Sequence, residues 1–543
     1  MKADSQPLNF ICDIKIFEIP FFQRGYVWGT ENWEDLFDEM KNFTSSHFLG
    51  SIILKKTENE NASAPSKSII IDGQQRLTTL SILLKAFYDT FSEDIKNNLI
   101  DTVLKYLFYK EKEISSEYKI KIKHSRYDNE DYQKVIGQVI INGKEKNITQ
   151  LTVDEINRID DDTENDNTHK VLKCYKFFYQ KLVSMDEKER TDIFENLISD
   201  NNSMLVVIHL GNSDREQKIF DTINSSGVTL SATDIVKNAL FDALLQTAEK
   251  REDVIRTYDS LWAGTFSKDE SAIGYWGKKK AQGRLFRENS EILLSSFALI
   301  KGIYDPYNPK QNIEDIPDLI KKFIEKIIKE NEKSIAYKML NDFLQEIIDY
   351  ANIYRSKIII FDKNYIFYYN DPQIKVLKTL EMMEITALTP YLLFLYKNYE
   401  KDTKKLNTKF NDLFKLLMIK LINHESSSNY NKASKFMINE ENYITDRLVE
   451  YKNKTWFDGV SLMKKNKDAR IILFWLELYR RFNDKKITEK GLHDNYTLEH
   501  VMPVTWETNW LNIPVIDVAK NEVIKNPEEA KQYRKGMILS LGN

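Results

Sequence analysis

Hydrophobic and polar positions alternate over residues 14–20 (IKIFEIP), which predicts a short strand closed by Pro20. From Thr30 the period lengthens, and Trp33, Leu36, Phe37 and Met40 fall on one face of a helix. HFLGSIILKK (47–56) and SIII (68–71) predict two further strands on either side of the polar run ENENASAPSK. A long helix follows from about Gln74 to Phe91, with Leu77, Leu80, Leu83, Leu84, Phe87, Tyr88 and Phe91 at three- and four-residue intervals. This first block reads as a small α+β unit. SMLVVIHL (203–210) predicts another buried strand, and residues 214–246 read as helix, turn, helix. From about 246 to 440 the pattern is helical almost throughout, without a fixed repeat. The acidic stretch 153–168 reads as a mobile surface segment with no assigned function. The tail from about 485 is shorter in its rhythm and carries His493 and His500.

Composition narrows the class. A chain of 543 residues exceeds a single core, so two to four domains are expected. Gly (17) and Pro (11) are scarce while Tyr (28) and Phe (29) are plentiful, which favours a mostly helical protein. The net charge of −4 gives no global field for nucleic acid, so any DNA contact must come from local patches. KIKHSR (121–126) and GKKKAQGRLFR (277–287) are the two candidate runs, each readable equally as a solvated face. Cys12 and Cys174 make neither a zinc site nor a disulfide framework, which suits a reducing cytosol. The N-terminus lacks the apolar core of a signal peptide, and no apolar run approaches the ~18 residues of a membrane span. A cytoplasmic protein without a membrane partner is expected.

The stretch SIIIDGQQRLTT (68–79) runs a strand into Asp72-Gly73 and then into a helix with Arg76 in its first turn. A helix N-terminus presents free N–H groups and the positive end of the dipole, so a cation there is out of place. Two readings reconcile it. Arg76 pairs with a nearby carboxylate below an Asp72 N-cap. Alternatively, a phosphate sits between the helix end and the guanidinium. In the second reading Gly73 permits close backbone approach, Gln74 and Gln75 donate and accept, and Asp72 holds Mg²⁺ or orients a water. No Walker motif exists in the chain.

IPFFQRGYVW (19–28), FLGSIIL (48–54), IDGQQRLTTL (71–80) and IFDTINSSGVTLSATDIVKNALF (219–241) occur in this order. Together they resemble the N-terminal, ParB-like domain of the GmrSD-type modification-dependent (Type IV) restriction endonucleases. The resemblance implies nucleotide binding and NTP hydrolysis at a loop of Asp72, Gly73, Gln74, Gln75 and Arg76, with Asp72, Gln75 and Arg76 in catalysis. Gln23 and Arg24 match the family's QR pair, beside the same pocket. Asn224 and Asp234 are further candidates for it. Tyr26 and Trp28 could stack on a base, although core packing suits Trp28 better. A structural account of the last motif is equally at hand: Gly227 ends one helix, and Ser231 with Asp234 caps the next as S-x-x-D.

NYTLEHVMPVTWETNW (495–510) places Glu499 and His500 in a short strand-like run closed by Pro503. A neutral His can take a proton from water attacking a phosphodiester, and an adjacent carboxylate can hold a divalent metal. A surface or packed His is the plain alternative. With KGMILSLGN at 535–543, the segment resembles the HNH (ββα-metal) nuclease domain that accompanies the DGQQR domain in the same family. His500 then matches the general base, Glu499 a metal ligand or orienter, and Asn543 the central Asn, with Glu499 and Asn543 at the metal. The family pattern continues beyond that Asn into a helix, so a partial ββα unit with weak or absent cleavage is expected of the chain as given.

The fold expected is mixed and mostly α. It comprises a ParB-like α+β domain (1–245), a helical relay domain (246–440) and an incomplete HNH domain (441–543). The function implied is an NTP-binding and NTP-hydrolysing phage-defence endonuclease acting on foreign or modified DNA. Its cofactors would be Mg²⁺ or Mn²⁺ and GTP or another NTP. DNA and a nucleotide are the partners implied, and a homodimer is left open. The alternative is a nucleotide-gated DNA-binding regulator without cleavage.

Overall fold

The protein is described from a computed structural model. It covers residues 2–23, 25–41, 49–56, 66–112, 115, 117–124, 128–143, 145–160, 169–211, 231–282, 285–359, 361–425, 429–452, 466–497, 505–510, 512–517 and 520–538. The chain divides into two compact units, 1–234 and 235–543.

The first unit is built on a six-stranded mixed sheet. Its strands are β1 (Lys2–Gln6), β2 (Ile16–Glu18), β3 (Ser51–Lys56), β4 (Lys67–Asp72), β5 (Ile122–Lys123) and β6 (Leu205–Leu210). Their order is β1-β6-β3-β4-β2-β5. β3 and β4 are antiparallel, with a register irregularity at Ile53/Leu54, whereas β6 runs parallel to β3 and β2 parallel to β4. The alternating runs predicted from sequence therefore form the sheet's centre. The polar β1 pairs antiparallel along β6 at one edge.

Helices α1 (Thr30–Lys41), α2 (Gln74–Thr90), α3 (Glu93–Leu107), α4 (Asn129–Ile136), α5 (Lys170–Val183) and α6 (Glu187–Ile198) complete the unit. The face predicted for α1, Trp33, Leu36, Phe37 and Met40, is the buried one. α2 is the central helix. Fourteen of its 17 residues are buried, and it packs against α3, α4, α5 and α6. Its length and its freedom from Gly and Pro make it a rigid rod on which a site can be mounted at one end.

Two sequence expectations are corrected here. KIKHSR does not present Lys121 to solvent, although Lys123 is exposed, and Ser125 and Arg126 lie outside the described residues. Lys121 is buried and donates to the carbonyls of Ile11 (2.7 Å) and Cys12 (3.2 Å), and Ile122–Lys123 is the edge strand. Its ammonium satisfies two helix-end carbonyls rather than facing solvent, and burial lowers its pKa to about 8. The acidic stretch 153–168 begins as a short helix, Val153–Asn157, set by a capping box between Thr152 and Glu155. Residues 161–168 lie outside the described residues.

The second unit is helical. Helices Asn289–Ile300, Lys333–Lys357, Pro372–Met383, Thr389–Tyr399, Thr403–Ile422 and Asn466–Asn483 are its main members. One hydrophobic core runs from Phe367 to Leu492, so packing is continuous across residue 440. The unit also holds a β-hairpin, Lys279–Gln282 with Leu285–Glu288, inside the run read as GKKKAQGRLFR. The short strand Leu492–His493 pairs with Ile366–Phe367, and a helix spans Pro527–Ile538.

Candidate functional site

β4 ends at Asp72, and α2 starts at Gln74. Between them Gly73 takes φ 88° and ψ 9°, the left-handed region, and serves as the N-cap. Asp72 is still strand, opposite Ile53, so the carboxylate N-cap considered for it is not what starts the helix. Gly73 is required for a second reason. A Cβ there would lie 2.9 Å from the carbonyl oxygen of Ser51 on β3. The glycine thus lets the helix end press onto the start of the neighbouring strand. Its geometry leaves the N–H groups of Gln74, Gln75 and Arg76 without intrahelical acceptors.

Arg76 projects back across this junction. One guanidinium nitrogen, Nη1, donates to the carbonyl of Ser51 at 3.0 Å, and the group lies 5.8 Å from the centre of the Trp28 ring. Its Nε is buried and has no hydrogen-bond partner. Among the described residues Arg76 forms no salt bridge. Burial pushes the guanidinium below the ordinary arginine value, against the nearby charges of Asp72 and Glu39, which favour the cation. Of the two readings of a first-turn Arg, the carboxylate pair is therefore not formed among the described residues. Space for the guanidinium comes from Gly50 at φ 116°, since a Cβ there would overlap the Arg76 head group.

The two glutamines differ in role. Gln75 is buried, and both ends of its amide are used. Oε1 accepts from the N–H of Val27 (2.8 Å) and of Trp28 (3.3 Å), and Nε2 donates to the carbonyl of Gly25 (3.0 Å). It clamps the 25–28 turn to the start of α2. Asp128 accepts from the N–H of Tyr26 (2.8 Å), and Lys170 donates to the carbonyl of Val27 (3.0 Å), so the turn is held from three sides. Tyr26 completes the clamp from within the core. Its hydroxyl meets Thr79 Oγ1 at 2.5 Å and accepts from Trp33 Nε1 at 2.9 Å. Tyr26 is 4% exposed and cannot stack on a base. Trp28 packs on the edge of the core, as its composition suggested. Gln23 donates from Nε2 to the carbonyl of Ile70 at 3.0 Å, two residues before Asp72.

The structure thus brings Gln23, Asp72, Gly73, Gln74, Gln75 and Arg76 together at one end of α2. Arg24 and Asn224 lie outside the described residues, as do Glu499, His500 and Asn543. Asp234 caps the helix Ala232–Thr247 with Ser231, as the S-x-x-D pattern predicted. The Asp234 N–H donates to Ser231 Oγ at 3.1 Å, and that hydroxyl donates to the Asp234 carboxylate at 2.8 Å. Among the described residues no group of three or more His, Cys, Asp or Glu side chains could hold a metal ion. Sequence reasoning missed Gly50, whose motif FLGSIIL was noticed for its strand and not for its glycine. It also missed Asp128 and Lys170, which reach the turn from distant positions.

Two expected results follow from this geometry. Gln75→Leu removes the acceptor of the Val27 and Trp28 N–H groups and the donor to the Gly25 carbonyl, at about 0.5–1.5 kcal/mol for each hydrogen bond lost. The variant should melt earlier and lose any nucleotide turnover along with stability, and a wild-type denaturant midpoint would contradict the clamp. His124 sits 3.0 Å from Thr78 Oγ1, one turn along α2, against the Tyr132 ring, and burial lowers its pKa from 6.5 to about 3. The folded protein then holds the neutral ring where the unfolded chain binds a proton. Stability from this group is complete above about pH 6.5 and falls as the pH drops towards 3. Denaturant midpoints at pH 7.5 and pH 5 should differ less in His124→Gln than in wild type.

Comparison with known proteins agrees with this architecture. Residues 8–241 match the family described as the GmrSD restriction endonuclease N-terminal domain. No curated protein matches the chain. The match spans strands β2 to β6, the Asp72–Arg76 junction and the start of the helix capped by Ser231. Over residues 8–241, therefore, the chain is similar to the N-terminal domain of the GmrSD restriction endonucleases.

Proposed function

We propose that the chain is an NTP-dependent restriction endonuclease whose nucleotide phosphates bind at the Asp72–Arg76 junction, and which acts on foreign or modified DNA. The observation that carries the reading is Arg76. It is a partly buried cation at the positive end of a 17-residue helix, with no carboxylate partner among the described residues and an unsatisfied buried Nε. An anion is what would stabilise this arrangement, and a polyphosphate matches the N–H groups of the helix end and the fork of the guanidinium. Asp72, at the strand end beside it, would hold a divalent ion on the phosphates or orient the attacking water. Gln75 acts through the turn it clamps and is a positioning residue. Gln23, which donates to the Ile70 carbonyl, and Arg24 are assigned to the same pocket by their motif.

Phosphodiester cleavage is assigned to Glu499, His500 and Asn543 by their motif. His500 would accept the proton of the attacking water, and Glu499 and Asn543 would hold Mg²⁺ or Mn²⁺. Such an ion supplies stabilisation of the charge that develops on the phosphate. The helices of residues 246–440 would relay the nucleotide's state. Phosphate release from GTP and from the other NTPs, with wild type and Arg76→Met, tests the first half. Turnover by wild type that Arg76→Met abolishes is expected, and equal turnover in both contradicts it. A plasmid-nicking assay with Mg²⁺ or Mn²⁺, comparing wild type with His500→Ala, tests the second. Cleavage that survives His500→Ala would remove that residue from the mechanism.

A further inference from the structure

The run GKKKAQGRLFR reads equally as a nucleic-acid patch and as a solvated face, and the hairpin of the second unit sorts its side chains. The register pairs Lys279 with Glu288, Lys280 with Arg287 and Ala281 with Phe286. Cross-strand partners share a face, and neighbours along a strand alternate. Lys280 and Arg287 therefore share one face, and Lys279 and Phe286 the other.

The first face is turned inward. Lys280 Nζ lies 5.4 Å from the centre of the Tyr354 ring and 3.5 Å from its hydroxyl, and burial lowers its pKa to about 8. Arg287 pairs with Glu314 at 3.2 Å. The second face is turned to solvent. Phe286 is 71% exposed, the most exposed large hydrophobic residue among those described. Lys279 on this face is exposed, as is Lys278, the C-cap residue of the helix Glu270–Gly277 just before the strand, and among the described residues neither has a carboxylate partner. Glu288, the acidic residue on this face, is engaged at the start of the helix Asn289–Ile300, where Ser290 Oγ donates to its carboxylate at 3.4 Å.

A single exposed ring is ordinary by itself, and a protein-binding patch would be larger and less cationic; what marks this face is the ring together with the ammonium groups. Two uncompensated ammonium groups beside one exposed aromatic ring are the elements of a contact to unpaired nucleic acid. The lysines take phosphates without regard to sequence, and the ring stacks on any base. We infer that the outer face of this hairpin, Lys279 and Phe286, together with the exposed Lys278 at its base, is a nucleic-acid contact in which the lysines hold the backbone and Phe286 stacks on an unstacked base. The inference rests on the reading of the chain as a DNA-acting enzyme, and it adds a place of contact and a preference for unpaired or distorted DNA.

Fluorescence anisotropy with the full chain tests it, using a paired duplex and the same duplex carrying a short mismatched bubble, over a salt series. Wild type is expected to bind the bubbled DNA more tightly. Phe286→Ala should weaken binding to the bubble roughly tenfold, in line with a base–aromatic stack of about 1–3 kcal/mol, and change binding to the paired duplex little. Phe286→Trp should restore it. Lys278→Gln with Lys279→Gln should weaken binding to both and reduce the slope of log K against log salt by about 2. If wild type binds DNA and the three variants bind alike, the hairpin is not the contact while the DNA reading stands. If wild type binds neither DNA at low salt, the DNA reading fails and the inference with it. If Phe286→Ala changes only the size-exclusion mass, the ring belongs to a contact between copies, and the inference is overturned.

Discussion

Gly50→Ala is expected to remove nucleotide turnover while the N-terminal unit stays folded. The new Cβ would occupy the space of the Arg76 guanidinium, and Arg76 is the flexible partner in that collision. The side chain can swing away at low cost, but it then leaves the Ser51 carbonyl and the end of α2. A left-handed alanine adds strain of about 1–3 kcal/mol, which a well-packed unit can absorb. Loss of one donor preorganised towards a transferring phosphoryl group lowers turnover by about 10²–10³-fold. The measurement is phosphate release beside a thermal melt. A folded Gly50→Ala protein that turns over nucleotide like wild type would show that the contact with Gly50 does not place Arg76 for catalysis.

Asp89→Ala should be the most damaging single change to stability in the first unit. Lys85 and Asp89 face each other on α2 at 2.5 Å, both fully buried, and the Tyr175 hydroxyl of α5 donates to Asp89 at 2.6 Å. Burial drives the two groups in opposite directions, lowering Lys85 and raising Asp89, and each offsets that cost for the other. Removing one partner strands a buried charge, at about 3–5 kcal/mol. Lys85→Met combined with Asp89→Leu should recover much of the loss, because an apolar pair of similar volume carries no desolvation cost. Chemical denaturation of the three proteins checks this. An Asp89→Ala midpoint at the wild-type value would mean that Lys85 reaches water or loses its proton without cost. The pair sits near the far end of the helix whose first turn holds Arg76, so it anchors the rod that carries the site.

The legible parts of this molecule are those where one side-chain pattern settles one element. The 3.6-residue period of α1 and α2, the alternation in β3 and β4, and the Ser231–Asp234 cap are local signals. Each appears where the sequence placed it. β1 was not legible, because KADSQ has no apolar alternation and owes its strand conformation to the partner β6, some 200 residues later. The role of Lys121 was hidden for the same reason. A lysine in a basic run looks solvated until the fold brings the carbonyls of Ile11 and Cys12 to it. At the candidate site the motif named the residues, and the physics of a first-turn arginine pointed to an anion. The division of labour between Gln75 and Arg76 needed coordinates. Both are polar residues in one motif, yet one amide is spent on the backbone of residues 25–28, and one guanidinium nitrogen is buried with no partner. Gly50 shows the limit most clearly, since its function is the absence of a side chain opposite a residue 26 positions away.

The most direct test of the account is isothermal titration of the full chain with non-hydrolysable analogues of GTP and ATP, using wild type and Arg76→Met. The account predicts that wild type binds at least one of them with Mg²⁺ present. It also predicts that Arg76→Met, while melting near the wild-type temperature, shows no measurable binding at the same concentrations. Equal affinity in the two proteins would contradict it, and so would a wild type that binds no nucleoside triphosphate.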